Sequence, residues 1–154
     1  MITYYKGDPR RIQHFLKVHD LARTIGILEG MDKDDLLTLE AAAAVHDIGI
    51  HLCELKYGKC DGKLQEREGP PLARDMLTAL GFGEKITDRV CWLVEHHHTY
   101  DDIDSLDYQI LVEADWLVNL YEDGTAENGI RAAYEKIFVT ETGRLFCRKM
   151  FSLD

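Results

Sequence analysis

With 154 residues, 45% of them apolar and 30% charged, the chain has the length and composition of one compact domain with its own core, not of a disordered segment or a disulfide scaffold. Twenty-eight acidic residues against 18 basic ones give a formal net charge of −10, a surface that repels phosphate backbones and makes duplex nucleic acid a poor partner. No apolar run approaches the roughly 20 residues of a membrane helix, and Met1 to Asp8 has no basic stretch leading into an apolar one, so no membrane partner is expected and the cytoplasm is the expected location.

In chain order, Asp8-Pro9 reads as a helix start, because Asp accepts an early backbone N–H and Pro is pre-shaped for the first turn. That helix is expected to run to about Gly30. A second begins near Asp32 to Asp35 and continues through the alanine run to about Ile50. The stretch from His51 to Gly69 is the least regular, with Gly58, Gly62 and Gly69 before Pro70-Pro71. A third helix follows from about Pro71 to Leu80, a fourth from about Glu84 to His98, and a fifth from about Leu106 to Tyr121. One or two more fill Glu127 to Phe151, with a bend near Gly143. No segment alternates for long with period two, so the fold class is all-α. Cys53, Cys60, Cys91 and Cys147 form no C-x-x-C pair and read as reduced, structural thiols.

Chemistry concentrates at three places. His46-Asp47 closes the second helix, with His46 on the small apolar face of Leu39, Ala42 and Ala43. A buried carboxylate beside it needs a partner or a metal; a helix end with a carbonyl-capping His46 and a solvated Asp47 fits the pair equally well. Asp115 falls within the apolar face of Ile110, Leu111, Ala114, Leu117, Val118 and Tyr121, where either a metal or an Arg or Lys answers it. Glu113 points to the other side of the same helix and reads as solvated. His14 shares a face with Val18, Leu21 and Ile25, as a ligand or as a packed core histidine. His19 lies on a different face and reads as structural or exposed. Taken together, three helices direct two imidazoles and two carboxylates inward, and the two negative charges balance one divalent ion. Mixed N/O ligation suits Mn, Fe, Co, Ni or Zn, with Mg also open.

The order His14, His46-Asp47, Asp115 resembles the H…HD…D signature of the HD superfamily of metal-dependent phosphohydrolases. Arg11-Ile-Gln-His14-Phe-Leu-Lys-Val18 looks like its first motif, Ala44-Val-His-Asp-Ile-Gly49 its second and Glu113-Ala-Asp115 its last. The resemblance implies a single HD-type helical domain over residues 1–154, with a motif-bearing core at about 8–121 and a helical extension at 125–154. It also implies a metal held by His14, His46, Asp47 and Asp115, and hydrolysis of a phosphoester or phosphoanhydride. In that reading Asp47 orients the attacking water and His97 protonates the leaving group. Many members read HDIGK, whereas this chain has Ile50 and then His51, so the lysine's role is absent or lies elsewhere.

His97 and His98, in Glu95-His-His-His-Thr99, match the extra histidines of two-metal subfamilies. The further histidine of those subfamilies is missing, and Glu68 or Glu66 offers an oxygen ligand in its place. The alternative is a polar helix end with solvated imidazoles. For substrate phosphate, Lys56, Lys59 and Lys63 are the densest lysines near the centre, and Arg11 lies one turn before His14; a solvated loop is the competing reading for the lysines. Tyr57, Tyr100 or Trp92 could stack on a base or simply be core. The expected substrate is a nucleotide or another small phosphorylated metabolite. A two-metal phosphodiesterase or oxidase and a noncatalytic metal- or nucleotide-binding sensor stay open. The apolar tail, Ile130 to Phe151, suits core or a homodimer surface.

Overall fold

The computed structural model describes residues 1–153, which form eight helices and, among the described residues, no strand. They are α1 Pro9–Leu28, α2 Lys33–Val45, α3 Ile50–Tyr57, α4 Gly62–Ala79, α5 Glu84–His96, α6 Leu106–Glu122, α7 Glu127–Ile137 and α8 Glu141–Phe151. Starts follow capping chemistry. Asp8 accepts from the Arg11 amide with Pro9 in the first turn, Asp32 accepts from the Asp34 and Asp35 amides, and Asp61 accepts from Leu64.

The core is built on α6, whose residues from Tyr108 to Leu120 are buried apart from two intermediate positions. α1 packs on α2 and α6, while α2 also meets α5 and α6. The alanine run lets backbones come close, since Ala42 and Ala43 are fully buried with Leu39. By length and mean hydropathy (1.3), Lys33–Tyr57 passes for a membrane span. Here it forms two helices, and Leu39, Ala42, Ala43 and Ile48 are packed inside the protein, as in the core helix of a globular domain.

Two boundaries differ from the sequence expectation. The second helix ends at Val45, and a turn carries His46 and Asp47 into α3. The stretch expected to be irregular is mostly helical, with α4 starting at Gly62 and running through Pro70 and Pro71. Each proline removes an amide donor and costs a helix interior about 3 kcal/mol. Packing of α4 on α5 outweighs that cost. Glycines at the crossing of α3 and α4 permit the approach: a Cβ on Gly49 would sit 3.0 Å from the Gly69 nitrogen, and one on Gly69 would press on Val94. The C-terminal break falls at Phe138 to Thr140, where the backbone is extended, and Gly143 lies in the first turn of α8.

Tyr121 turns out of the apolar face assigned to it and is 71% exposed. Glu113, expected to be solvated, is fully buried. It does point away from Asp115, but α7 and α8 cover that side. Its carboxyl group accepts from Gln109 (2.8 Å), the Val139 and Thr140 amides (2.6 and 2.9 Å) and the Thr140 hydroxyl (2.5 Å).

Candidate metal centre

His14 comes from the first half of α1, His46 and Asp47 from the turn after α2, and Asp115 from the middle of α6. Their ligand atoms converge. His14 Nε2 lies 3.2 Å from Asp115 Oδ1, 3.3 Å from His46 Nε2 and 3.8 Å from Asp47 Oδ2. His46 Nε2 lies 3.5 Å from Asp115 Oδ1 and 3.6 Å from Asp47 Oδ2. Ligands about 2.0–2.2 Å from an ion stand roughly 2.8–4.4 Å apart around it, depending on whether they are adjacent or opposite, so these separations fit a divalent cation.

The outer atoms hold the rings in the orientation a ligand needs. His46 Nδ1 donates to the Ala43 carbonyl at 2.9 Å, which leaves Nε2 free to face the centre. His14 Nδ1 is held by Glu122 Oε2 at 3.1 Å, and Lys17 pairs with the other oxygen of Glu122. Asn119 donates to Asp115 Oδ1 at 2.9 Å. The Tyr5 hydroxyl, on a residue only 4% exposed, donates to the Asp47 and Ile48 carbonyls at 3.1 and 3.2 Å, bracing the turn that presents Asp47.

Electrostatics show a pocket short of positive charge. Burial alone would lower His14, yet Asp115, Asp47 and Glu122 raise it to about 9. His46 is likewise raised by Asp47 and Asp115 against its burial. Burial alone would raise Asp47, but the imidazoles of His46 and His97 hold it at about 2; His14 and His46 hold Asp115 well below the usual carboxylate range. Without an ion, protons on the imidazoles balance the two acids; an ion does the same with the imidazoles neutral.

Asp47 faces two ways. Its Oδ1 lies 3.2 Å from His97 Nε2 and 3.9 Å from His98 Nε2. His97 Nδ1 donates to the Val94 carbonyl at 2.8 Å, the same orienting bond as in His46. Burial and the neighbouring His97 push His98 down to about 4, which keeps it neutral. His98 Nε2 also meets Gln65 Oε1 at 3.1 Å. The structure thus brings together two donor groups sharing Asp47: His14, His46 and Asp47, and Asp47, His97 and His98.

A family comparison agrees with this geometry: the HD domain model matches residues 11–120, well over half of the chain. The chain belongs to the HD domain family. No curated protein and no solved structure matches it.

Not every sequence-selected residue reaches this HD centre. Glu68 does not join His97 and His98, because Lys56, Tyr57 and Arg67 hold its carboxylate at 2.9, 2.8 and 3.0 Å on the outer side of α4. Glu66 is buried but bound to Lys63 and Thr99, each at 2.9 Å. Gln65 is the α4 oxygen beside His98. All three lysines are paired with acids: Lys56 with Glu68, Lys59 with Asp61 at 3.4 Å and Lys63 with Glu66. Arg11 is held by Asp8 at 3.0 Å and Glu54 at 2.5 Å. His19 lies 3.3 Å from Glu40, away from the centre.

Sequence reading missed Tyr5, Glu122, Asn119 and Gln65. Two of them carried a signal, since Asp115, Asn119 and Glu122 follow helical spacing along one face of α6. Tyr5 carried none, because it lies before the first periodic segment. A cavity of about 570 Å³ opens beside the centre, lined by His14, Asp47, Ile50, Gln65, Arg10 and Glu122 among others. A larger cleft of about 870 Å³ lies at the opposite ends of α2, α5 and α6, and no histidine or cysteine lines it.

Proposed function

We propose that the chain is a metal-dependent phosphohydrolase acting on a nucleotide or another small phosphorylated metabolite. The observation that carries this reading is that the carboxylates of Asp47 and Asp115 each lie 3.2–3.8 Å from Nε2 of both His14 and His46, beside an open cavity. A divalent ion held by these residues supplies Lewis acidity and a water acidic enough to attack phosphorus near neutral pH. The chain's own groups do the rest. Asp47 orients the water through its carboxylate. The water adds to phosphorus, the ester P–O bond breaks, and a proton passes to the leaving oxygen. We assign that proton to His97, whose Nε2 stands 3.2 Å from Asp47 and whose Nδ1 is already engaged. The four free thiols suit a reducing compartment, which favours the cytoplasm.

A second reading adds another ion at Asp47, His97 and His98. It is favoured by the split orientation of Asp47 and by the neutral state of His98. The ligand supply is thin there, with Gln65 in place of a further acid or imidazole.

The test is metal analysis of protein purified without added metal, followed by a phosphate-release screen. At least one divalent ion per chain and release from some phosphorylated metabolite are expected, with turnover lost in Asp47→Ala while helical circular dichroism is kept. Wild-type turnover in Asp47→Ala would count decisively against the mechanism. Two ions per chain would select the second reading.

A further inference from the structure

The cavity beside the HD centre holds a cation that the fold does not use. Its wall carries four acids (Asp8, Asp47, Glu122 and Asp123) and two arginines, Arg10 and Arg11. Arg11 is committed to Asp8 and Glu54. Glu122 is committed to His14 and Lys17. Arg10, exposed in the first turn of α1, has no ion-pair or hydrogen-bond partner among the described residues. The lysines of the 56–63 segment do not line this wall and are each paired with an acid.

We propose that Arg10 is the phosphate-binding cation of this site, and that the wall around it makes the site selective for phosphomonoesters over di- and triphosphates. This rests on the hydrolase reading above and deepens it. An ion balanced by Asp47 and Asp115 leaves the centre close to neutral. Among the described residues of the wall, Arg10 then contributes the uncommitted positive charge, on a planar fork that binds phosphate oxygens two at a time. A monoester carries at most two negative charges and offers one oxygen to the centre and others to Arg10. Each further phosphoryl group adds negative charge against a wall whose remaining charged groups are Arg11, already held by two acids, Asp123, which none of the described residues pairs, and acids already paired. In a cleft with low-dielectric walls such like-charge contacts are strongly unfavourable. The cavity volume, about 570 Å³, suits a small ligand of this class.

Protein loaded with Mn2+ is titrated calorimetrically with AMP, ADP and ATP in slight excess Mn2+, and kcat and KM for phosphate release are measured on the same three. AMP is expected to bind about tenfold or more tighter than ATP, with ADP between. Arg10→Ala is expected to weaken AMP binding by about tenfold, to raise KM more than it lowers kcat, and to leave bound Mn2+ per chain unchanged. Arg10→Lys should recover part of the loss. Equal or tighter binding of ATP overturns the proposal, as does an Arg10→Ala protein that binds AMP like the wild type. Wild-type protein that holds Mn2+ and hydrolyses ATP best sinks this inference alone. Protein that holds no Mn2+ and releases phosphate from none of the three sinks the hydrolase reading and this inference with it.

Discussion

Glu113 and Asp115 sit two residues apart on α6, both buried, on opposite sides of the helix. Four donors that do not titrate near neutral pH, two backbone amides, one amide side chain and one hydroxyl, surround Glu113. They tie α6 to the break between α7 and α8, and the acid is satisfied where it stands. Asp115 has one such donor, Asn119, and otherwise faces the imidazoles of His14 and His46. A buried acid is therefore not a site in itself. What marks a candidate site is an acid whose partners could themselves be ligands and give up their protons to an ion.

The comparison breaks most visibly if Asp115 is changed and metal stays. Asp115→Asn keeps the size and a hydrogen-bonding oxygen but removes one of the two charges that balance the ion. Bound metal per chain should fall to background, and phosphate release should drop by about a thousandfold or more. Elemental analysis of the purified variant reads the first directly. A variant that retains stoichiometric metal would place the site elsewhere.

Glu113→Ala should do the reverse. It leaves the Val139 and Thr140 amides, the Thr140 hydroxyl and Gln109 without their acceptor, at a cost to stability of about 3 kcal/mol or more. Metal content of the folded fraction should be unchanged. Urea unfolding gives the first quantity and equilibrium dialysis the second. Loss of metal with full stability would mean that the two acids have exchanged roles.

The same pair shows what a sequence can and cannot reveal. Asp115 was legible because an acid stood inside an apolar stripe and matched a distant His14 and His46-Asp47 in order. Glu113 was read as solvated because helical periodicity places it off that stripe, and periodicity does not say that a second layer, α7 and α8, covers the far side. Helix α4 was shortened for a related reason: two prolines read locally as a boundary, while its packing on α5 is a tertiary fact. Arg11 and Lys56 were legible as cations, but not their acidic partners, because a partner 43 or 12 residues away depends on how the helices meet.

The imidazoles and the carboxylates of the centre also respond differently to pH. His14 is raised to about 9 by its acids, so in metal-free protein the stability it contributes is complete below its unfolded pKa near 6.5 and is lost as pH rises toward 9. Asp47 is depressed, so its contribution is present above about pH 4 and lost only as pH falls through about 2; Asp115 is depressed in the same direction by His14 and His46, so its contribution too is lost only in acid. The melting temperature of chelator-treated protein should therefore fall between pH 6.5 and 8.5. With saturating Mn2+ the slope should flatten or reverse, because the ion requires the neutral imidazole and gains affinity as protons leave. Parallel slopes with and without metal would show that protons and metal do not compete at His14.

The smallest expected effect lies at Tyr5, and it sharpens the contrast by probing the backbone beneath a ligand while the ligand itself is kept. Tyr5→Phe preserves the packing against Phe15 and removes only the hydroxyl that reaches the Asp47 and Ile48 carbonyls. Two such neutral bonds contribute about 1–2 kcal/mol to stability. Loosening the turn should also weaken metal binding by about tenfold, the low end of what orienting partners of metal ligands contribute. Glu113 offers the control: its loss costs stability with no change in metal affinity, whereas Tyr5→Phe should move both. A Tyr5→Phe protein with lower stability and unaltered metal affinity would make the N-terminal segment a clasp on the core with no part in holding Asp47 in place.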